Sequence, residues 1–196
     1  MDKYIIGITG NIGSGKSTFA RWFADYNFYV IDMDLYAKNL YFNYSFRRKA
    51  TDILGFDPIY NDRLRTQDIA DKIYSDENKF KQLTELFLEF LPPLVDNTIK
   101  NLNDKYIVID GALLFEYSLD KFCNLTICIY APLILRYKRI KKYRNKKISK
   151  KRFLQIDKHQ LSPDIKCKMA DICVKNEGNI EKLKNNFLKI LSSIDI

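Results

Sequence analysis

The chain has 196 residues, of which 46% are apolar, and this favours one domain with insertions around a hydrophobic core. No apolar run approaches the roughly 18 residues of a membrane span, and the N-terminus leads almost directly into a strand, so we expect a cytoplasmic protein without a signal peptide. The cysteines are Cys123, Cys128, Cys167 and Cys173, and they form no Cys-x-x-Cys pair. With His159 as the only histidine, we expect reduced thiols and no zinc site.

The formal net charge of +9 is concentrated in one stretch, residues 136–152, which we call the basic segment. It contains eleven Lys and Arg residues and no acidic residue, and the rest of the chain has 22 basic against 24 acidic residues. A solvated basic face explains most of its lysines individually. So many cations without a counter-charge nevertheless repel one another, and the segment as a whole favours an anionic partner.

The first predicted strand, 4–9, leads into the glycine-rich sequence of residues 10–17, Gly-Asn-Ile-Gly-Ser-Gly-Lys-Ser, and then into a predicted helix over 16–26. Strand, glycine loop and helix are the context in which Gly-x-x-x-x-Gly-Lys-Ser/Thr binds phosphate. Glycines allow the backbone to wrap around phosphates, and the helix N-terminus directs N–H groups at the anion. We expect Lys16 to contact the β- and γ-phosphates and the Ser17 hydroxyl to hold Mg²⁺. The alternative is a glycine-rich turn that matches by chance, which the flanking strand and helix disfavour.

A second predicted strand, 28–31, ends in Asp32-Met33-Asp34. Ligands of open α/β sheets gather at the carboxyl ends of the strands, so both carboxylates are candidates for chemistry. Either one could instead cap the helix that is predicted to begin near Leu35.

Residues 35–103 contain no clear strand and predict a helical insertion. We expect helices over 47–54 and 67–74 and an amphipathic helix over 83–91, which Pro92-Pro93 interrupts before a helical pattern resumes at Leu94. Such a lobe could bind a second substrate.

The third predicted strand, 106–110, ends in Asp110, which resembles the Walker B pattern of a Mg²⁺-associated acid. A fourth strand follows over 125–130. From Pro132 a helix is expected to run into the basic segment, where Arg136, Arg139 and Arg144 suggest a lid over a triphosphate. Further helices (151–160, 164–169), a short strand (171–174) and a closing amphipathic helix (180–194) complete an α/β prediction with a parallel sheet.

Taken together, these motifs resemble the dephospho-CoA kinase family, along almost the whole chain. The match rests on five stretches: the phosphate loop with its flanks (9–18), Val-Ile-Asp-Met-Asp (30–34), Asp-Gly-Ala-Leu-Leu-Phe-Glu (110–116), Arg-Ile (139–140), and Gln160 with Ala-Asp (170–171) and Asn-Glu-Gly (176–178). The family usually has Gly in place of Asn11, Pro in place of Ala112 and His-Pro in place of Pro92-Pro93. Where the family has a second lid arginine, this chain has Tyr143, and Arg144 follows one position later.

The resemblance implies ATP-dependent phosphorylation of the ribose 3′-hydroxyl of dephospho-CoA, the last step of coenzyme A synthesis, by one P-loop kinase domain (1–196) with an acceptor-binding insertion (35–103) and a lid region (133–160). It implies four catalytic residues, namely Asp34 as the base with Asp32 beside it, Lys16, and Arg139 as a phosphate clamp. Residues implied to bind ATP are Gly10, Asn11, Ile12, Gly13, Ser14, Gly15, Lys16, Ser17, Thr18, Arg144, Asn176 and Gly178. Those implied to bind the acceptor are Thr9, Asp34, Leu113, Leu114, Glu116 and Gln160, and those for Mg²⁺ are Ser17 and Asp110.

Two other functions remain open at this point. One is a kinase for a nucleoside or nucleotide on the same core, because fold-level analogy does not determine the acceptor. The other is a nucleic-acid-associated P-loop protein that uses the basic segment, although no nucleic-acid motif is present. We expect a small-molecule substrate, no nucleic-acid or membrane partner, and a monomer or weak homo-oligomer.

Overall fold

The computed structural model describes residues 2–143 and 148–194, and the chain divides into two compact units. The first unit is formed by residues 1–31 and 103–196, and the second by residues 32–102, close to the bounds of the predicted insertion. Within the described ranges, no helix combines the length and apolar character that crossing a membrane requires.

Seven strands and nine α-helices lie in the described part of the chain. The strands are β1 (Tyr4–Thr9), β2 (Tyr29–Asp32), β3 (Ile59–Tyr60), β4 (Arg63–Leu64), β5 (Tyr106–Asp110), β6 (Leu125–Tyr130) and β7 (Ile172–Lys175). The helices are α1 (Lys16–Ala24), α2 (Met33–Leu40), α3 (Tyr44–Leu54), α4 (Thr66–Tyr74), α5 (Glu77–Asn101), α6 (Leu133–Tyr143), α7 (Lys150–Lys158), α8 (Pro163–Met169) and α9 (Ile180–Ser193). A short 3₁₀-helix covers Leu119–Phe122.

The first unit is built on a five-stranded sheet in the order β2-β5-β1-β6-β7. Strand β1 pairs in parallel with β5 on one side and with β6 on the other, so that Ile8 lies opposite both Asp110 and Ile127. The parallel α/β sheet predicted from the sequence is confirmed. Since parallel strands end at the same edge of the sheet, the loop after β1 and the carboxylate that ends β5 lie at that edge.

Aromatic side chains fix α1 and α9 to each other in the core of the first unit. Phe19 and Phe23 lie one helical turn apart on α1 and are fully buried. Each makes an edge-on contact with Phe187 of α9, at centroid distances of 5.4 and 4.8 Å. Aromatic pairs of this geometry add stability beyond the area that they bury. They hold the N-terminus of α1, and with it the glycine loop, in a defined place.

The second unit consists of α2 to α5 and a small hairpin. Helix α5 runs without interruption through Pro92 and Pro93, so the predicted break is wrong. Each proline removes a backbone hydrogen bond inside the helix. The buried positions Leu91, Val95 and Ile99 nevertheless continue at four-residue spacing through the pair, and burial of this stripe offsets the loss.

The hairpin of β3 and β4 is a second correction, because no strand was predicted in this region. Ile59 pairs with Leu64 and Tyr60 with Arg63. The two residues between them, Asn61 and Asp62, have φ angles of 46° and 57°. Asn and Asp tolerate this left-handed conformation, which a two-residue hairpin turn of the primed type requires.

A third correction concerns the cysteines. Cys167 of α8 and Cys173 of β7 form a disulfide with their Cα atoms 5.0 Å apart, whereas Cys123 and Cys128 are free thiols. The expectation of reduced thiols is therefore wrong for one pair. Cysteine spacing gave no hint of it, because the turn between α8 and β7 is what brings the two side chains together.

Candidate active site

The glycine loop of residues 10–17 joins β1 to α1, as predicted. Gly13 and Gly15 have φ angles of 81° and 101°, a conformation that favours glycine. Side chains would also not fit there: a Cβ would lie 2.6 Å from the Arg136 carbonyl oxygen at Gly13 and 2.5 Å from Asn176 Nδ2 at Gly15. The loop is thus held closely by α6 on one side and by the chain after β7 on the other.

Lys16, the first residue of α1, extends to the Walker B-like carboxylate. Its ammonium group forms an ion pair with the Asp110 carboxylate and lies 3.5 Å from Ser17 Oγ. Both Lys16 and Asp110 are more than nine-tenths buried. The structure thus brings together the three side chains that the sequence assigned to phosphate and Mg²⁺.

The second half of the glycine loop is held by Asn176 and Arg139. Asn176 Nδ2 donates to the Ser14 carbonyl oxygen over 2.7 Å. The Arg139 guanidinium donates to the same oxygen over 3.3 Å, to Asn176 Oδ1 over 3.1 Å and to the Gly178 carbonyl oxygen over 3.4 Å. Asn176 and Arg139 therefore shape the loop through bonds to protein oxygens in this structure, and their predicted contacts with ATP stay predictions.

The first half of the loop contacts the segment that follows α7. Gln160, predicted to bind the acceptor, accepts the Ile12 N–H over 3.1 Å. The Asn11 side chain is buried and donates to Asp157 and Leu161. Thr18 lies in α1, where its N–H donates to the Gly15 carbonyl oxygen over 3.1 Å.

The residues after β5, which were predicted to line the acceptor side, are largely inside the first unit. Glu116 Oε1 accepts the Leu161 N–H over 2.8 Å and lies 2.9 Å from Lys166 Nζ. Lys166 also donates to the Ala112 carbonyl oxygen, which accepts the Thr9 hydroxyl over 3.2 Å.

Neither Thr9 nor Leu114 is exposed at all, whereas Leu113 is half-buried. A Cβ on Gly7 of β1 would lie 2.8 Å from a Leu114 methyl carbon, so Leu114 packs on β1 in the core. Thr9, Leu114 and Glu116 thus make internal contacts in this structure, and their predicted acceptor contacts stay predictions.

Lys166 is a fully buried cation, and sequence reasoning missed it. Burial lowers its pKa, and the adjacent Glu116 carboxylate opposes this effect. Burial also raises the pKa of the Cys128 thiol to about 11, against the opposing effect of the nearby Lys166. The Cys128 thiol is therefore protonated near neutral pH, and the neighbouring Lys166 Nζ lies 2.9 Å from Glu116 Oε1.

Asp32 and Asp34 begin the second unit. Asp32 Oδ1 accepts the N–H groups of Asp34 and Leu35 over 2.9 and 3.2 Å, so it caps α2, which is the alternative that the sequence left open. Asp34 lies in the first turn of α2 with its side chain exposed. Arg144, the other lid candidate, lies outside the described residues.

Comparison with known proteins identifies the family. The sequence model of dephospho-CoA kinase matches residues 4–182. A dephospho-CoA kinase of Fusobacterium nucleatum is 30% identical over 188 residues, which cover 93% of this chain and 94% of the relative. One of Oceanobacillus iheyensis is 32% identical over 204 residues, which cover 98% of each chain. The chain belongs to the dephospho-CoA kinase family.

Solved structures agree with this fold. A crystal structure from Thermus thermophilus is 26% identical, covers both chains completely and superposes with a TM-score of 0.80. The dephospho-CoA kinase of Campylobacter jejuni is 20% identical, covers 97% of this chain and 96% of its own, and superposes with a TM-score of 0.68, which shows that the fold is shared. The predicted P-loop kinase fold is thus confirmed.

As a member of the dephospho-CoA kinase family, the chain is an ATP-dependent phosphotransferase that phosphorylates dephospho-CoA in coenzyme A synthesis.

Two residues of its site were not predicted from the sequence, Lys166 and Asp157. Asp157 had a signal in the charge pattern, because it is the first acidic residue after the basic segment and pairs with the first arginine of that segment, Arg136. Lys166 had none, because a lysine on a short helix is normally exposed.

Proposed function

We propose that the glycine loop binds the phosphates of ATP and that the Lys16 ammonium, which is paired with Asp110 in this structure, stabilises the negative charge on the transferring phosphoryl group. The observation that supports this is the buried ion pair of Lys16 and Asp110 beside the Ser17 hydroxyl. A lysine that already lies at the helix N-terminus needs little reorganisation to meet a phosphate. The reaction is an in-line transfer, in which the protein supplies mainly position and charge.

We also propose that Mg²⁺ binds with ATP at Ser17 and Asp110. Within residues 2–143 and 148–194, no cluster of three or more His, Cys, Asp or Glu side chains could hold a metal ion by itself. Mg²⁺ does not require such a cluster, since it keeps several waters and uses substrate phosphates as ligands. The Ser17 hydroxyl and the Asp110 carboxylate suit it, as both are oxygen donors that already face one cation, Lys16. When bound, Mg²⁺ would neutralise charge on the phosphates.

Asp34 is the residue we propose to accept the proton of the acceptor hydroxyl, with Asp32 as a positioning residue. The motif of residues 30–34 supports this assignment. The Asp34 side chain is exposed, whereas the Asp32 carboxylate already accepts backbone N–H groups at the start of α2. Arg139, Asn176 and Gly178 would line the ATP side. The cytoplasmic location and the monomeric or weakly oligomeric state stay predictions.

The test is ATP consumption by the purified protein with Mg²⁺ and one acceptor at a time: dephospho-CoA, adenosine, AMP or uridine. We expect turnover with dephospho-CoA alone and a product that carries one additional phosphoryl group. Turnover with a nucleoside and none with dephospho-CoA would refute the acceptor assignment.

The residue roles are tested by Lys16→Ala and Asp34→Asn, with Asp25→Asn as the control because Asp25 is an exposed acid that follows α1, outside the predicted acceptor-binding insertion. Asp34→Asn should reduce kcat by more than about tenfold, or about 1.4 kcal/mol in the barrier, and Lys16→Ala by more than that. The control should leave kcat unchanged. Full activity of Lys16→Ala would overturn the role of the glycine loop, and a smaller effect of Asp34→Asn would overturn only the base.

A further inference from the structure

Asn11 connects the first half of the glycine loop to the chain after α7. Its Nδ2 donates to Asp157 Oδ1 and to the Leu161 carbonyl oxygen, both over 3.1 Å. The side chain is only 2% exposed, so these bonds do not compete with bulk water. The next residue of the loop is held from the same place, since the Ile12 N–H donates to Gln160.

Asp157, the acceptor for Asn11, is itself fixed by a buried arginine. Arg136 Nη1 lies 2.6 Å from Asp157 Oδ1, and Nη2 lies 3.2 Å from Oδ2. The same guanidinium donates to the Ile12 carbonyl oxygen over 3.3 Å and to the Ala131 carbonyl oxygen over 3.0 Å. Two-pronged arginine–carboxylate pairs are rigid as well as strong. Asn11 is therefore attached to a fixed partner.

Arg136 lies near the start of α6, and Asp157 lies near the end of α7. Both ends of the predicted lid region, 133–160, are thus hydrogen-bonded to the first half of the glycine loop: Arg136 bonds to Ile12, and Asp157 bonds to Asn11. The second half of the glycine loop is fastened separately, by Asn176 and Arg139.

We propose that Asn11 is a positioning residue that holds the first half of the phosphate loop in its binding conformation before ATP arrives. A glycine at this position could make neither side-chain bond and would leave the backbone freer. A loop that is ordered in advance loses less conformational entropy on binding, so the clamp strengthens ATP binding. The φ angle of Asn11 is not positive, so an alanine at this position tests the amide without adding backbone strain.

This inference rests on the proposed role of the loop in ATP binding. The parent protein is therefore assayed first with ATP and dephospho-CoA, and its inactivity would refute the proposed function rather than the role of Asn11. The variant is Asn11→Ala. The matched control is Asn185→Ala, which removes the same amide from an exposed position of α9, outside the predicted acceptor-binding insertion.

For Asn11→Ala we expect a KM for ATP that is about tenfold higher, the equivalent of about 1.4 kcal/mol or one hydrogen bond. The kcat and the KM for dephospho-CoA should change by less than about twofold, and Asn185→Ala should match the parent. A merely structural asparagine would lower the thermal midpoint without changing the KM for ATP, and this result would overturn the proposal. A lower kcat together with higher KM values for both substrates would also overturn it.

A double-mutant cycle with Asp157→Ala checks that the effect passes through the clamp. The two substitutions should raise the KM for ATP by less together than the product of their separate effects, since both break one contact. Independent effects would overturn the proposal. If Asn11→Ala does not fold, Asn11→Ser replaces it, because a hydroxyl is too short to contact both acceptors, and the same outcomes decide.

Discussion

At the scale of single residues, several polar side chains of the first unit serve to hold backbone rather than to face solvent. Lys166 is the extreme case, with no exposed surface and with Glu116 and the Ala112 carbonyl oxygen as partners. Removing one member of such a buried pair leaves an uncompensated charge, which costs about 3–5 kcal/mol. These residues therefore belong to the architecture on which the site is built.

Asp171 is an exposed residue, unlike Lys166, but its carboxylate also holds backbone, and a pH dependence follows for it. Its Oδ2 accepts both the N–H and the hydroxyl of Thr126 over 2.7 Å, and its own N–H donates to Thr126 Oγ1 over 3.0 Å. The Thr126 hydroxyl, followed by the Thr126 N–H, lowers the pKa of Asp171 below its ordinary value of 3.8. Because the folded pKa is the lower one, this stabilisation is present above pH 3.8 and is lost as the pH falls towards the folded pKa.

We expect Asp171→Asn to unfold more easily than the parent at pH 6 and to approach the parent as the pH falls below about 3.8. Urea unfolding of both proteins from pH 6 to pH 2.5 measures the difference. Asp164→Asn, at an exposed aspartate in the first turn of α8, serves as the control for an unrelated carboxylate. A difference between parent and Asp171→Asn that stays constant over the whole range would contradict the argument.

At the scale of elements, the strands and helices that carry a strong local pattern were predicted well. Strands β1, β5 and β6 are largely apolar runs, and the glycine loop is a motif whose backbone conformation its residue types determine. Helix α5 was predicted as two pieces because proline usually ends a helix. In the structure, apolar residues are buried before and after the proline pair, and their burial maintains one continuous helix. The β3–β4 hairpin was missed because its strands have only two residues each, too few for any periodicity.

The contacts among the site residues were much less predictable than the elements. Glu116 was placed on the acceptor side by its motif, and the structure adds two internal partners that come from the 161–166 region. The ATP contact predicted for Asn11 stays a prediction, and the structure adds side-chain hydrogen bonds to residues about 150 positions away along the chain. Such pairings depend on the order of strands and helices in space, which no local pattern of residues encodes.

The disulfide is an element-scale feature with a measurable consequence, because it joins α8 to the edge strand β7. The two cysteines are six positions apart. A bond that closes so short a loop restricts the unfolded chain and stabilises the folded one by about 2 kcal/mol. Reduction should therefore lower the free energy of unfolding of the parent by about this amount.

Urea unfolding with and without dithiothreitol measures this effect, and thiol titration of the denatured protein should find two thiols before reduction and four after it. Cys167→Ser/Cys173→Ser is the control, since it should match the reduced parent and not respond to dithiothreitol. Four thiols before reduction, or an equal response of the double variant, would count against the bond.

At the scale of the whole molecule, the cations of the basic segment fall into two groups: arginines that bond within the protein and lysines that face solvent. Arg136 and Arg139 are used internally, by Asp157 and by the oxygens around Asn176. Exposed lysines of the same segment, such as Lys138, Lys150 and Lys151, are the ones that face solvent. Both substrates are polyanions, so these lysines should attract them over a distance set by the ionic strength.

We therefore expect the KM for ATP to rise by at least about threefold between low and roughly 0.5 M salt, where the Debye length falls to a few ångströms, while kcat changes little. In Lys138→Gln/Lys150→Gln/Lys151→Gln this salt dependence should be weaker. The matched control is Lys105→Gln/Lys121→Gln/Lys189→Gln, which removes the same charge from exposed lysines elsewhere in the first unit. If both triple variants lose the same part of the salt dependence, the net charge of +9 attracts the substrates and the basic segment has no special role. A larger loss in the first variant alone would locate the attraction at α6 and α7, beside the loop that Asn11 holds.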